Sequence, residues 1–237
     1  MNTITKIFKK TFTFYMITFF IILNLTLSCS QFKNLKPNSF QKDTVLCYSY
    51  FKLLKISQNV YNKNKRESSI DNFIKIGKKT NGILEINLEN GKLKIFKDSI
   101  YSIDSTLYPE YTVIGFYPEI NCYLITVNFY ENGKCILLNK KNGSEYNIWS
   151  EPIISPDKKH FVTFLGSLGY PVKPNGIQFF DVNGDEIKLV WEFETDEWKP
   201  DELFWISDKQ LILKQCNPDF NSKNNTCEKK YFKMILQ

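Results

Sequence analysis

The sequence predicts a mainly β fold of antiparallel hairpins, preceded by an N-terminal signal helix. Three observations carry that expectation. Asn-Gly pairs recur between alternating apolar runs, aromatic residues are abundant (20 Phe, 13 Tyr, 4 Trp) while alanine is scarce, and the chain opens on a basic, then apolar, segment. Aromatic side chains fill a half-buried pleated surface well, and Asn and Gly both tolerate the positive φ that tight hairpin turns demand.

The elements follow in order. Lys6, Lys9 and Lys10 are followed by a nearly unbroken apolar stretch from Phe12 to Leu23, and residues 1–28 contain no Asp or Glu. This is the charge and length pattern of an export signal. The segment Leu25-Thr26-Leu27-Ser28-Cys29 resembles the lipobox of bacterial lipoproteins, departing from it at Thr26, where that family usually carries Leu. The resemblance implies cleavage before Cys29 and attachment of diacylglycerol to its thiol. An uncleaved anchor over residues 11–28 and ordinary secretion are the alternatives. Each of the three exports the rest of the chain. Residues 29–43 are polar, without apolar periodicity, and read as a flexible tether.

Residues 44–237 are then expected to form a single β-rich domain, long enough for one core. Val45 to Val60 shows mixed spacing, Asn62 to Ser69 reads as a polar break, and a short helix ending at Gly77 is expected. Three hairpins follow. Ile83–Leu88 and Lys92–Phe96 flank Glu89-Asn90-Gly91. Cys122–Tyr130 and Lys134–Leu138 flank Glu131-Asn132-Gly133, and a two-residue Asn132-Gly133 turn would set Cys135 opposite Tyr130. Ile177–Asp181 and Glu186–Phe193 flank residues 182–185. Within the second hairpin Ile125, Val127 and Phe129 share a face with Ile136 and Leu138, a candidate core side.

An internal repeat spans about residues 110–215. Pro118 to Pro156 and Tyr123 to Phe161 are each 38 residues apart, and Trp205-Ile206-Ser207-Asp208 begins a third, looser copy. A four-stranded propeller blade occupies about 40–45 residues. SPDKKHFVTF followed by NGIQFFDVNGDEIKLVW resembles a blade of the bacterial periplasmic propellers, in which a Ser-Pro-Asp turn opens the second strand. Two to three blade-like units are traceable, fewer than a closed ring needs, so the resemblance implies a partial propeller or an open stack of sheets.

Charge and motifs narrow the chemistry. The formal charge is +6, and removing the three leader lysines leaves about +3, too little to imply nucleic acid. Without Cys29, five cysteines remain, and Cys216 and Cys227, which bracket CNPDFNSKNNTC, are the candidates for a local disulfide. The single histidine, His160, has no nucleophile motif for a partner, and there is no HExxH, GxSxG or phosphate-binding glycine loop. Asp181 to Glu192 copies the span of a calcium loop, but Glu186 stands where that loop requires Gly, so no metal and no cofactor is expected.

The candidate binding surface is WEFETDEWKPDELFW, residues 191–205, with six carboxylates around three Trp spaced by seven. Trp191 and Trp205 are expected in the core. Trp198, Asp196, Glu197 and Asp201 are the candidate partner contacts, with Trp198 expected to be exposed, and Tyr170 in the Pro-rich 170–175 loop joins them. These features lead to one expectation: a membrane-anchored envelope protein whose extracytoplasmic domain binds a protein partner without catalysis. Glycan or peptidoglycan binding, a carboxylate-dependent hydrolase acting through Asp196, Glu197 or Asp201, and a toxin-neutralising immunity lipoprotein are the alternatives.

Overall fold

The computed structural model describes residues 45–67, 79–99, 109–129, 133–167, 173–218 and 227–237. The signal segment, Cys29, the tether and Tyr170 lie outside them, as does the helix expected to end at Gly77. The described residues are mainly β: fifteen strands and one helix form four antiparallel sheets, none closed on itself. Among them, no helix is long and apolar enough to cross a membrane.

The first sheet is the hairpin β3 (Ile83–Asn87) and β4 (Leu93–Lys97). Its turn is closed by Gly91 N–H donating to Leu88 O, with Gly91 at φ +78°, the left-handed conformation that glycine adopts without steric cost. The second sheet is the meander β5 (Glu110–Tyr117), β6 (Cys122–Asn128), β7 (Gly133–Asn139) and β8 (Glu145–Ile148). The third is the meander β9 (Ile153–Ile154), β10 (His160–Leu165), β11 (Gly176–Asn183) and β12 (Glu186–Glu194).

The fourth sheet joins the two ends of the described chain. β13 (Lys199–Ser207), β14 (Gln210–Pro218) and β15 (Cys227–Leu236) continue into β2 (Phe51–Lys55) and β1 (Val45–Cys47), with β15 lying between β14 and β2. The three segments of shared spacing each lead into the second strand of a sheet: β6, β10 and β14.

Three apolar clusters hold the sheets in the order β3–β4, β5–β8, β9–β12, β13–β1. Leu84, Ile86 and Phe96 pack on Val113, Ile125, Val127, Ile136 and Leu138. The opposite face of the same meander, through Cys122, Leu124 and Leu137, packs on Phe161, Phe180 and Ile187. β6 is therefore buried on both faces, which explains its near-continuous apolar run Cys122-Tyr123-Leu124-Ile125-Thr126-Val127. The largest cluster joins the third and fourth sheets through Val162, Phe179, Trp191, Phe51, Leu53, Leu211 and Phe232. Each such side chain contributes about 1.5–3 kcal/mol by leaving water.

Two local expectations are corrected. Asn62 to Glu67 is not a break but part of α1 (Gln58–Glu67). Ser57 starts the helix by accepting the Tyr61 N–H at its carbonyl, and Tyr61, 4 % exposed, holds it to the sheet between the Phe204 and Tyr231 rings. One buried aromatic supplies what an otherwise polar helix lacks. In the second hairpin Gly133 pairs with Asn128 and Cys135 with Thr126, not Tyr130, because β6 ends at Asn128 and the connection is longer than two residues. The expected shared face of Ile125, Val127, Phe129, Ile136 and Leu138 is present.

Candidate functional site: the 191–205 segment and its supports

The segment proposed as a binding surface divides into a buried frame and an exposed acidic turn. Trp191 and Trp205 are 7 % and 6 % exposed, and the Trp205 indole N–H donates to Ile153 O at 2.8 Å, tying β13 to β9. Trp198 corrects the expectation. It is 2 % exposed, stacked on Phe193 at 5.9 Å within the largest cluster. A flanking Pro and charged neighbours suggested a projecting loop, but the turn folds its one large aromatic inward, where it removes most apolar area from water. Its indole N–H has no well-aligned acceptor, and the Tyr48 hydroxyl is the polar group beside it.

Asn175 fixes this turn. Its Nδ2 donates to Thr195 O at 2.6 Å and to Trp198 O at 2.8 Å, while its Oδ1 accepts the Ser167 N–H at 3.1 Å. One side chain thus satisfies three buried backbone groups from two connections. Gly176 follows at φ +155°, where a Cβ would stand 1.9 Å from Phe193 O. Asn175 is the last residue of the Pro-rich loop, so at least this end of the loop is structural.

The six carboxylates have separate fates. Glu192 accepts Gln178 Nε2 at 2.7 Å, and Gln178 in turn accepts the Thr163 hydroxyl at 2.7 Å, forming a polar ladder across β10, β11 and β12. Glu194, Asp196 and Glu197 are exposed, and only Asp196 and Glu197 lie on the turn itself. Asp201 and Glu202 both reach Lys214 Nζ, at 2.6 and 2.7 Å. A register shift between Pro200 and Glu202 explains how consecutive strand residues converge on one cation: the bulge turns both side chains to the same face.

Glu202 is the centre of a wider cluster that local spacing did not reveal. It also accepts the Tyr61 hydroxyl at 2.6 Å and pairs with Lys65, so it clamps α1 to β13 and β14. Desolvation raises its pKa, but hydrogen bonds from Lys214, Lys65 and Tyr61 outweigh this and bring it down to about 2. Against its own desolvation, the Lys214 ammonium is pushed up by the Asp201 and Glu202 carboxylates. Glu202 is a positioned anion whose hydrogen-bonding capacity is taken by its own fold.

His160 is half-buried, its Nδ1 2.8 Å from Asp181 Oδ1 on the facing strand and its ring stacked on Phe179 at 5.2 Å. The adjacent Ser155 hydroxyl donates to Asp157 at 2.6 Å and accepts the His160 N–H at 3.0 Å. Although burial works against it, the Ser155 hydroxyl and the Lys159 N–H hold the Asp157 carboxyl below its ordinary value. These bonds make Ser155-Pro156-Asp157 a self-contained turn, with the Ser155 oxygen engaged by its own strand.

Cys216 and Cys227 are joined by a disulfide, with Cα atoms 5.5 Å apart, at the start of the β14–β15 connection. Cys122 and Cys135 are free thiols, and burial, aided by the Asp185 charge, raises Cys122 to about 12. Among the described residues no group of three or more His, Cys, Asp or Glu side chains is arranged to hold a metal ion. No protein-family model matches the chain, and neither a curated protein nor a solved structure resembles it significantly.

Proposed function

We propose that this protein is a lipid-anchored envelope protein whose open stack of β-sheets binds a protein partner without catalysis. The carrying observation is the leader ending in Leu25-Thr26-Leu27-Ser28-Cys29, which supplies export and an acylatable thiol. The binding part of the reading is supported by the exposed acidic turn of Asp196 and Glu197, with Glu194 beside it. Loops held on a rigid scaffold commonly carry recognition, and an acidic turn favours a basic surface. Trp198 drops out as a partner contact, and a glycan reading that depends on it loses its stacking platform.

The test joins palmitate labelling with membrane fractionation of wild type and Cys29→Ala, followed by cross-linking in the envelope. Label and membrane association that vanish in Cys29→Ala support the anchor. A partner lost in Asp196→Lys/Glu197→Lys supports the acidic turn. A soluble, unlabelled wild type, or a hydrolase activity abolished by one point substitution, overturns the reading.

A further inference from the structure

Eight large apolar side chains are exposed among the described residues, and five of them, Val45, Leu46, Tyr50, Leu189 and Val190, are 36–47 % exposed on β1, β12 and the β1–β2 turn. These elements adjoin: the Tyr50 ring lies on Trp191 at 5.4 Å and 10° from parallel, and Tyr48 meets Phe193 edge-on. β1 and β12 are the outer edge strands of their sheets, with a flank that no other strand covers among the described residues. On β12 the pairings Phe180 with Leu189 and Phe179 with Trp191 leave Val190 as an extra, unpaired residue. Regular alternation would bury one of two consecutive apolar residues, whereas this bulge leaves both in solvent. Soluble monomers seldom carry such patches without a use.

We infer that this edge rests on the lipid bilayer, with Tyr50, Leu189 and Val190 as the contact and the membrane interface as its occupant. The inference builds on the lipid-anchored reading. The chain enters β1 at Val45, and residues 30–44 separate it from the acylated Cys29. A flexible segment of that length has an r.m.s. span of roughly 20 Å. On the lipid-anchored reading, the tether expected from the sequence brings the β1 edge nearer to the lipid headgroups than the β3–β4 hairpin at the other end of the series of sheets. Tyrosine suits this position, since its ring prefers the headgroup boundary while its hydroxyl stays wet. Lys188 precedes Leu189 on β12, but Glu186 and Glu192 share that strand, so apolar contact and not net charge supplies the attachment. Salt is accordingly expected to weaken it little.

The experiment uses the full lipidated chain reconstituted in phosphatidylethanolamine/phosphatidylglycerol vesicles, with palmitate label verified in the same preparation. A benzophenone side chain is placed at Val190 in one sample and at Leu93, exposed on the distant β3–β4 hairpin, in another. Lipid adducts several-fold more abundant from position 190, persisting in 0.5 M salt and reduced in Tyr50→Ser/Leu189→Ser, support the inference. Labelled protein with equal or absent adducts overturns it and leaves the anchor standing, as does cross-linking of position 190 to a second copy. An unlabelled, soluble protein overturns both.

Discussion

Asn175 Nδ2 lies 2.8 Å from the carbonyl oxygen of Trp198, and through this bond the end of the β10–β11 connection holds the β12–β13 turn in place. Removing the side chain orphans the Thr195 and Trp198 carbonyls and the Ser167 N–H together. Asn175→Ala is expected to destabilise the domain by about 2–4 kcal/mol. Asn175→Asp should cost at least as much, because a carboxylate has no hydrogen to donate to either carbonyl. Urea midpoints followed by tryptophan fluorescence measure both.

Two glycines separate conformational strain from collision. Gly91, at φ +78°, has nothing within 4 Å of where a Cβ would stand, so Gly91→Ala should cost only about 1 kcal/mol of backbone strain. At Gly176 the Cβ would lie 1.9 Å from a backbone oxygen that cannot swing away. Gly176→Ala is therefore expected to lose cooperative unfolding in circular dichroism melts, whereas Gly91→Ala keeps it.

Glu202 makes part of the stability acid-sensitive. Its carboxyl is lowered from 4.5 to about 2 in the folded chain, so its contribution is fully present above pH 4.5 and is lost as pH falls through 2. Allowing for solvent screening of a partly exposed group, the contribution is on the order of 1 kcal/mol. Glu202→Gln should flatten the unfolding free energy between pH 5 and pH 2 relative to wild type. An unchanged acid limb would show that other carboxylates set it.

Much of the fold was legible because hairpins are local. Asn90-Gly91 and Asn183-Gly184 announce themselves by residue type, and the shared face of Ile125, Val127, Ile136 and Leu138 follows from alternation, whereas burial of the opposite face through Leu124 does not. The site was less legible, for a physical reason. Tyr61 and Glu202 meet across 141 residues, and His160 meets Asp181 across 21, so only the assembled sheets reveal these pairs. Trp198 was misplaced because polar neighbours report the surroundings of the chain, not the direction of one side chain. The bulge at Asp201 leaves no mark in local sequence.

The cysteines give a chemical check on the packing. Cys122 should resist iodoacetamide at pH 8 until denaturant is added, since it is buried and its thiolate is disfavoured. Reducing the Cys216–Cys227 bond should lower stability by about 2–3 kcal/mol, read as a drop in the urea midpoint with dithiothreitol.

Because β15 is seated between β2 and β14, β2 finds its partner across most of the described chain. Lys55 pairs with Phe232, so the fourth sheet is completed only when these two distant segments meet, a non-local step that closes slowly. Without β15, β2 would keep only β1 as a strand neighbour among the described residues, and its bare flank would be open to mispairing. β15 is thus the strand on which completion of the fourth sheet depends.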